Sequence, residues 1–316
     1  NEDIEAAVSK LYNRIGAPVM TDVSIDVATD TASDRSVPPV SRLYPKGPFD
    51  LFAGDQVVLV GRYRASGDAK VALRGTIGGK EETFYFPADL IAKSDDDTNA
   101  FVAKLWATRR VGEIIDELDL KGKNEELVNE LVALATEHGI ITPYTSFLAD
   151  ETSDVRNVAE NRGRALGELE SLSESSGGFG FRQRSAKGGY QVADRAPASG
   201  MVPVDGRLAE EFQLSASGGG RGGGFFGSNV LCYDPRSDQI RSVDNMRCIG
   251  RKTFVQRGEQ WVDSTVTEED EKSAEKLERY SPDYFALIAR HGQHVAQYLA
   301  LDEPVTIKLD GVTYQW

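Results

Sequence analysis

Between residues 151 and 228 the chain shifts to Ser, Gly, Ala, Arg and Glu and closes on Gly218-Gly219-Gly220-Arg221-Gly222-Gly223-Gly224. This stretch limits what the 316 residues can fold into. Holding one residue in place costs about 1–2 kcal/mol of backbone entropy, and buried apolar surface is what offsets it. A segment with few large apolar side chains therefore reads as a flexible low-complexity linker, with 155–172 as its one helix-compatible part. The chain is thereby divided into a part before residue 151 and a module at 229–316, each long enough to bury a core.

The first part changes period along its length. Val19, Thr21, Val23, Ile25 and Val27 alternate with polar neighbours, as a half-buried strand requires. Strands follow near 56–64, 69–77 and 81–86, with turns at Ser66-Gly67-Asp68 and Gly78-Gly79, the second at the two-residue hairpin length where glycine accepts positive φ. Residues 19–95 are thus expected to form an antiparallel meander, half of a β-sandwich. At 98–119 the spacing of Phe101, Val102, Leu105, Trp106, Ile114, Ile115 and Leu118 becomes helical, with Thr98 or Asn99 as the cap. Asn124 can cap a second helix with Leu127, Val128, Leu131, Val132 and Leu134 on its apolar face, ended by Gly139. The pair reads as a helical hairpin at 96–150, packed on the sandwich and closed by a return strand through Tyr144. Ile4, Val8, Leu11 and Ile15 also recur at helical spacing before Gly16 and Pro18.

The module at 229–316 has α+β patterning. Strands are expected near 246–256 and 260–266 around Arg257-Gly258-Glu259. Ser281-Pro282 opens a helix, and Asp310-Gly311 joins Val305–Leu309 to Val312–Trp316 as a hairpin.

A formal charge of −14 opposes general binding to phosphate backbones, and the single Arg-Gly-Gly element at Arg221 lacks the repetition that nucleic-acid binding needs. No run of eighteen apolar residues marks a membrane span. Asp22-Val23-Ser24-Ile25-Asp26 sits in an alternating strand, and the runs Asp95–Asp97 and Glu268–Glu271 lack the glycine and spacing of a calcium loop, so they read as solvated charge. His138 precedes a helix C-cap, where an imidazolium complements the dipole. His291 and His294 lack a neighbouring cysteine or carboxylate cluster. No nucleophile elbow or phosphate loop is present, so the residues point away from an enzyme. Arg109 and Arg110 could grip an anionic ligand, with Tyr144 beside them in a recognition strand. Glu113, three or four residues on, offers them intrahelical ion pairs instead.

Leu105-Trp106-Ala107-Thr108-Arg109-Arg110 and Ile141–Leu148, with Phe52-Ala53-Gly54-Asp55-Gln56 and Gly61-Arg62-Tyr63 upstream, resemble one family in order and spacing. They are similar to inter-alpha-trypsin-inhibitor heavy-chain-like proteins of the VIT and von Willebrand A domain-containing kind. The matching segment is the one that follows the A-type domain. Lys252-Thr253-Phe254, Trp261-Val262-Asp263-Ser264 and Tyr284–Leu287 resemble the C-terminal region of bacterial members.

The resemblance implies that 1–18 is the last helix of an A-type domain and that the chain is the C-terminal part of a longer protein. It implies a divalent cation held in that A-type domain and no cofactor in this part. It further implies an extracytoplasmic, oxidising compartment, in which Cys232 and Cys248 are expected to form a disulfide worth about 3 kcal/mol for a loop of roughly fifteen residues. The expected function is a non-enzymatic protein-interaction or adhesion protein, with a protein ligand or matrix component as partner, in which this part braces the cation-binding domain. The alternatives are an envelope-associated carbohydrate-binding module and an accessory subunit of a hydrolase.

Overall fold

The computed structural model describes residues 18–29, 38–53, 56–92, 99, 101–142, 144–145, 148, 157–171, 228–234 and 239–316. The helix expected at 1–18, apart from Pro18, which opens a strand, and residues 151–156 and 172–227 of the linker lie outside the described residues. The fold is α+β, with two compact units, Asn1–Ser94 and Asp95–Trp316.

In the first unit β1 (Pro18–Thr29), β3 (Phe49–Phe52), β5 (Gly67–Ile77) and β6 (Lys80–Leu90) form a four-stranded antiparallel sheet of order β3-β1-β5-β6. A separate antiparallel ribbon joins β2 (Val40–Tyr44) to β4 (Val60–Tyr63). The expected meander is therefore broken at its first connection: the strand near 56–64 pairs with β2, a strand the sequence reading did not place. The β5–β6 hairpin turns at Gly78 and Gly79, both at positive φ (56° and 79°), as a two-residue turn of this hand requires.

The alternation along β1 also fails at one point. Asp22 takes φ +53° and the register on β5 slips between Thr21 and Ser24. This bulge moves Met20 and Val23 into the core, at 4 % and 0 % exposure, and leaves Val19 half exposed at 53 %. Gly75 meets β1 so closely that a Cβ there would lie 2.8 Å from the Thr21 carbonyl oxygen.

In the second unit α1 (Phe101–Lys121) and α2 (Glu125–His138) form the expected hairpin. Asn124 caps α2 by accepting from the Glu126 and Leu127 amides at 2.9 and 3.1 Å, and Gly139 ends it at φ +60°. Helix α3 (Val158–Ser171) falls where the sequence allowed one and packs on α2.

The rest is one seven-stranded sheet built from β7 (Ser228–Asp234), β8 (Gln239–Ile249), β9 (Lys252–Arg257), β10 (Gln260–Asp263), β11 (Glu275–Lys276), β12 (Val305–Leu309) and β13 (Val312–Gln315), in the order β11-β13-β12-β10-β9-β8-β7. Its pairs are antiparallel except β10 with β12 and β11 with β13. The run read as one strand at 246–256 is two, reversing at Gly250 and Arg251. Helices α4 (Glu268–Lys272), α5 (Pro282–His291) and α6 (Ala296–Leu299) complete the unit. Ser281 caps α5 by accepting from the Tyr284 amide at 3.2 Å, with Pro282 in the first turn.

Both faces of this sheet are covered. On one, Phe254, Trp261 and Ile307 pack with Tyr284, Leu287 and Tyr298 from the C-terminal helices. On the other, Val243, Met246 and Val255 pack with Ala135 of α2 and with Ile141 and Leu148 beyond it. The hairpin was expected to pack on the first sheet, but this buried core ties it to the C-terminal sheet. The return strand is also corrected. Thr142, Tyr144 and Thr145 form a buried turn, in which the Thr142 amide donates to Thr145 Oγ1 at 3.0 Å and the Tyr144 amide donates to Thr142 Oγ1 at 3.2 Å. Hydroxyl acceptors that satisfy backbone donors locally remove the need for a strand partner.

Candidate functional site

The described side chains of the two central resembling stretches, 105–110 and 141–148, are framework. Leu105, Trp106, Ala107, Thr108 and Val111 of α1 are 0–6 % exposed, and Arg109, Arg110 and Tyr144 are 7 %, 6 % and 2 % exposed. Arg110 donates to both carboxylate oxygens of Glu130 at 3.1 and 2.6 Å and to Glu113 at 2.8 Å, with Glu117 at 3.6 Å. Glu113 was legible as an i,i+3 partner. Glu130, which lies on α2, becomes a partner only when the hairpin closes. A buried guanidinium ringed by three carboxylates is a clamp between helices, and burial withholds Arg109, Arg110 and Tyr144 from any ligand approaching this surface.

The expected Cys232–Cys248 disulfide is not formed: Cys248 is a free thiol. In the ladder Cys232 stands opposite Arg241 and Cys248 opposite Ser228. At about 3.3 Å per residue the offset from residue 228 to 232 separates the two Cα atoms by about 13 Å, beyond the roughly 7 Å that a disulfide spans. Cys248 instead lies behind the end of α2, with Lys104 Nζ 3.5 Å and Thr253 Oγ1 3.8 Å from its sulfur.

The acidic run Asp95–Asp97 lies outside the described residues, and the other acidic candidates and His291 take structural roles. Asp26 pairs with Arg74 at 3.6 Å across β1 and β5. In the acidic run 268–271, Asp270 closes a capping box with Thr267 and accepts from Lys308 Nζ at 2.8 Å. The Lys308 hydrogen bond, followed by those from Thr267, lowers its pKa to about 2. His291 Nδ1 lies 2.9 Å from Asp310 and its Nε2 3.2 Å from the Tyr314 hydroxyl, which ties the end of α5 to the β12–β13 turn. Among the described residues no group of three or more His, Cys, Asp and Glu could hold a metal ion. Nor is any of their helices long and apolar enough to cross a membrane.

Sequence reasoning missed one further buried group. Asp263, 1 % exposed, accepts from Lys252 Nζ at 2.6 Å, from the Thr265 amide and hydroxyl at 3.0 and 2.8 Å, and from the Lys308 amide at 3.2 Å. A buried carboxylate satisfied by four donors holds strands β9, β10 and β12 in one arrangement.

Among the exposed large apolar side chains of the second unit, Phe101, Val102, Leu120, Tyr280, Phe285 and Val312, two aromatic rings lie side by side. Tyr280 is 65 % and Phe285 51 % exposed, and their rings flank that of Tyr284, itself 1 % exposed. The centroids lie 6.0 and 5.4 Å from the Tyr284 centroid, both edge to face. Trp316 packs against the same ring at 5.4 Å, and the Tyr284 hydroxyl donates to the Leu299 carbonyl at 2.6 Å. The only sequence signal for this surface was an aromatic-rich helix start, which reads equally well as core. Among the described residues of the first unit the exposed rings are those of Phe84, Tyr85 and Phe86 of β6, at 44, 57 and 51 %, and Tyr63 of β4, at 43 %.

No family model matches the chain, and no solved structure matches it significantly. Curated relatives do. The chain is 21 % identical over 174 residues to inter-alpha-trypsin inhibitor heavy chain H2 of Sus scrofa, covering 51 % of this chain and 18 % of the relative. It is 21 % identical over 175 residues to inter-alpha-trypsin inhibitor heavy chain H2 of Homo sapiens, covering 51 % of this chain and 17 % of the relative. The chain is a distant relative of these heavy chains and spans under a fifth of their length.

Proposed function

We propose that this chain belongs to a non-enzymatic, extracytoplasmic protein-interaction or adhesion protein. In this reading residues 1–316 brace a cation-binding A-type domain of a longer polypeptide and add an interaction surface of their own. The observation that carries it is the burial of the resembling motif. Leu105–Arg110, Ile141, Thr142, Tyr144 and Leu148 all lie between 0 and 7 % exposed, so this part of the resembling motif serves as rigid support, while Arg62 and Tyr63 of its upstream part are exposed. The distant relation to the heavy chains supports the same reading. Recognition then falls to exposed side chains, of which the rings of Tyr280 and Phe285 are the most firmly mounted.

Two measurements test this. Titration calorimetry of residues 1–316 with calcium or magnesium is expected to give weak surface heats, because oxygen cages for these ions need six or more ligands in fixed geometry. The natural full-length protein is expected to bind one cation tightly and to lose capture of its protein ligand in the presence of a chelator. A stoichiometric tight site within 1–316, or capture indifferent to the chelator, would overturn the reading.

A further inference from the structure

We propose that the surface formed by Tyr280 and Phe285 captures a cationic segment of a partner protein, one that presents arginine or lysine to the two rings. The inference rests on the protein-interaction reading above and names the chemistry of the partner.

The first observation is backbone strain. Tyr280 takes φ +64°, a region where a bulky side chain is an outlier and persists only if its neighbours over-determine it. Those neighbours are identifiable. The Ser281 amide donates to the Glu278 carbonyl at 3.1 Å, and Ser281 then caps α5. Arg279 donates to the carbonyls of Leu301 and Asp302, which fixes the preceding residue on the opposite side of the turn. The strained residue is thereby held with its ring 65 % in solvent. A core function would have turned the ring inward, and a turn alone would have been served better by glycine.

The second observation is rigidity. Tyr280 and Phe285 both rest edge to face on the buried Tyr284, so neither gives up much freedom on binding. Rigid aromatic anchors of this kind dominate interface energetics.

The third observation is charge. Glu278 and Asp283 are exposed within two residues of the rings, and Asp302, 98 % exposed, lies 3.9 Å from Arg279. Of the nearby cations, Lys276, Arg279 and Arg290, Arg279 lies next to the rings and is held by backbone carbonyls and by Asp302. The Tyr280 ring already holds the Arg279 guanidinium at 5.3 Å from the centroid, so a partner's cation falls to the Phe285 ring and to the part of the Tyr280 ring that remains exposed. Electron-rich ring faces beside carboxylates attract arginine and lysine and repel sulfated glycans and phosphopeptides. The chain's net charge of −14 acts in the same direction at longer range.

The test uses the full chain and two synthetic octapeptides, one alternating arginine with proline and the other alternating glutamate with proline, titrated by calorimetry at low and physiological salt. The arginine peptide is expected to bind and the glutamate peptide to give no heat. Phe285→Ala and Tyr280→Gly are each expected to weaken the arginine peptide by roughly tenfold. Tyr280→Gly is the decisive variant. It relieves the strained φ while deleting the ring, so the thermal midpoint should hold or rise as binding falls. Equal binding of both peptides, or arginine-peptide binding unchanged in Tyr280→Gly, overturns the inference. The broader reading is separated by the natural ligand. If the full-length protein still captures it when both substitutions are present, the cationic surface is wrong and the interaction reading stands. If even the unsubstituted protein captures no protein ligand, the interaction reading itself fails.

Discussion

The sheet of the second unit and that of the first are made of similar residues and bury them differently. Strands β10 and β12 place Trp261, Val262, Val305 and Ile307 at 0–2 % exposure, because helices cover the sheet from both sides. Strand β6 of the first unit carries the aromatic triplet Phe84-Tyr85-Phe86 and leaves all three between 44 and 57 % exposed. An aromatic side chain in a strand is thus worth several kcal/mol or almost nothing according to what lies over it. The second unit also spends polar groups inside its core, at Arg110 and Asp263, and satisfies each with several partners. In the first unit the ion pair of Arg74 and Asp26 lies at the surface, where both are more than half exposed.

Substitutions can break this contrast. The largest effect is expected from Arg110→Ala, which leaves Glu113, Glu117 and Glu130 facing one another in a half-buried cleft. Removing one member of a buried ion-pair cluster costs roughly 3–5 kcal/mol, and urea unfolding of the second unit should show it. A loss below about 1 kcal/mol would mean that the clamp is ornamental. Trp261→Ala should cost a similar 3–5 kcal/mol by opening a cavity between sheet and helices, whereas Phe84→Ala in β6 should stay within about 1 kcal/mol. Equal losses from the two would show that the first sheet is covered in solution and would erase the contrast.

Asn124→Ala sharpens the comparison at a local level. Removing the side chain that caps α2 should cost about 1 kcal/mol, enough to lower the midpoint of the second unit while sparing the first. The smallest expected effect concerns Asp270. Its folded pKa of about 2 lies below its ordinary value, so its contribution to stability is complete above the unfolded pKa and is lost as pH falls through about 2. Lys308→Met removes the principal cause and should return the Asp270 titration, followed by NMR, toward the ordinary carboxylate range. A titration still centred near 2 would assign the shift to Thr267.

Much of the second unit was legible because its signals are short in range. Asn124, Gly139, Ser281, Pro282 and Asp310-Gly311 each act within four or five residues, and all of them stand where the sequence put them. The candidate surface was far less legible. The spacing of Tyr280 and Phe285 at a helix start carries no signal of exposure, and Arg109, Arg110 and Tyr144 read either as ligand contacts or as part of an ion-paired helix and a return strand. Burial depends on which elements close over a residue, and helical period does not report that.

Sequence by itself determined the α+β class, the two periods, the caps and the hairpin turns, since each follows from backbone geometry over a few neighbours. Tertiary structure alone decided four things. It set the bulge at Asp22 that turns Met20 and Val23 inward, and it brought Glu130 to Arg110 from twenty residues away. It placed Cys232 and Cys248 about four positions out of register. It also anchored Arg279 on residues 301 and 302, which holds Tyr280 in a strained, solvent-facing conformation. Each of these joins groups that are distant along the chain, and whether such groups meet is fixed by the packing of whole elements, which no local pattern encodes.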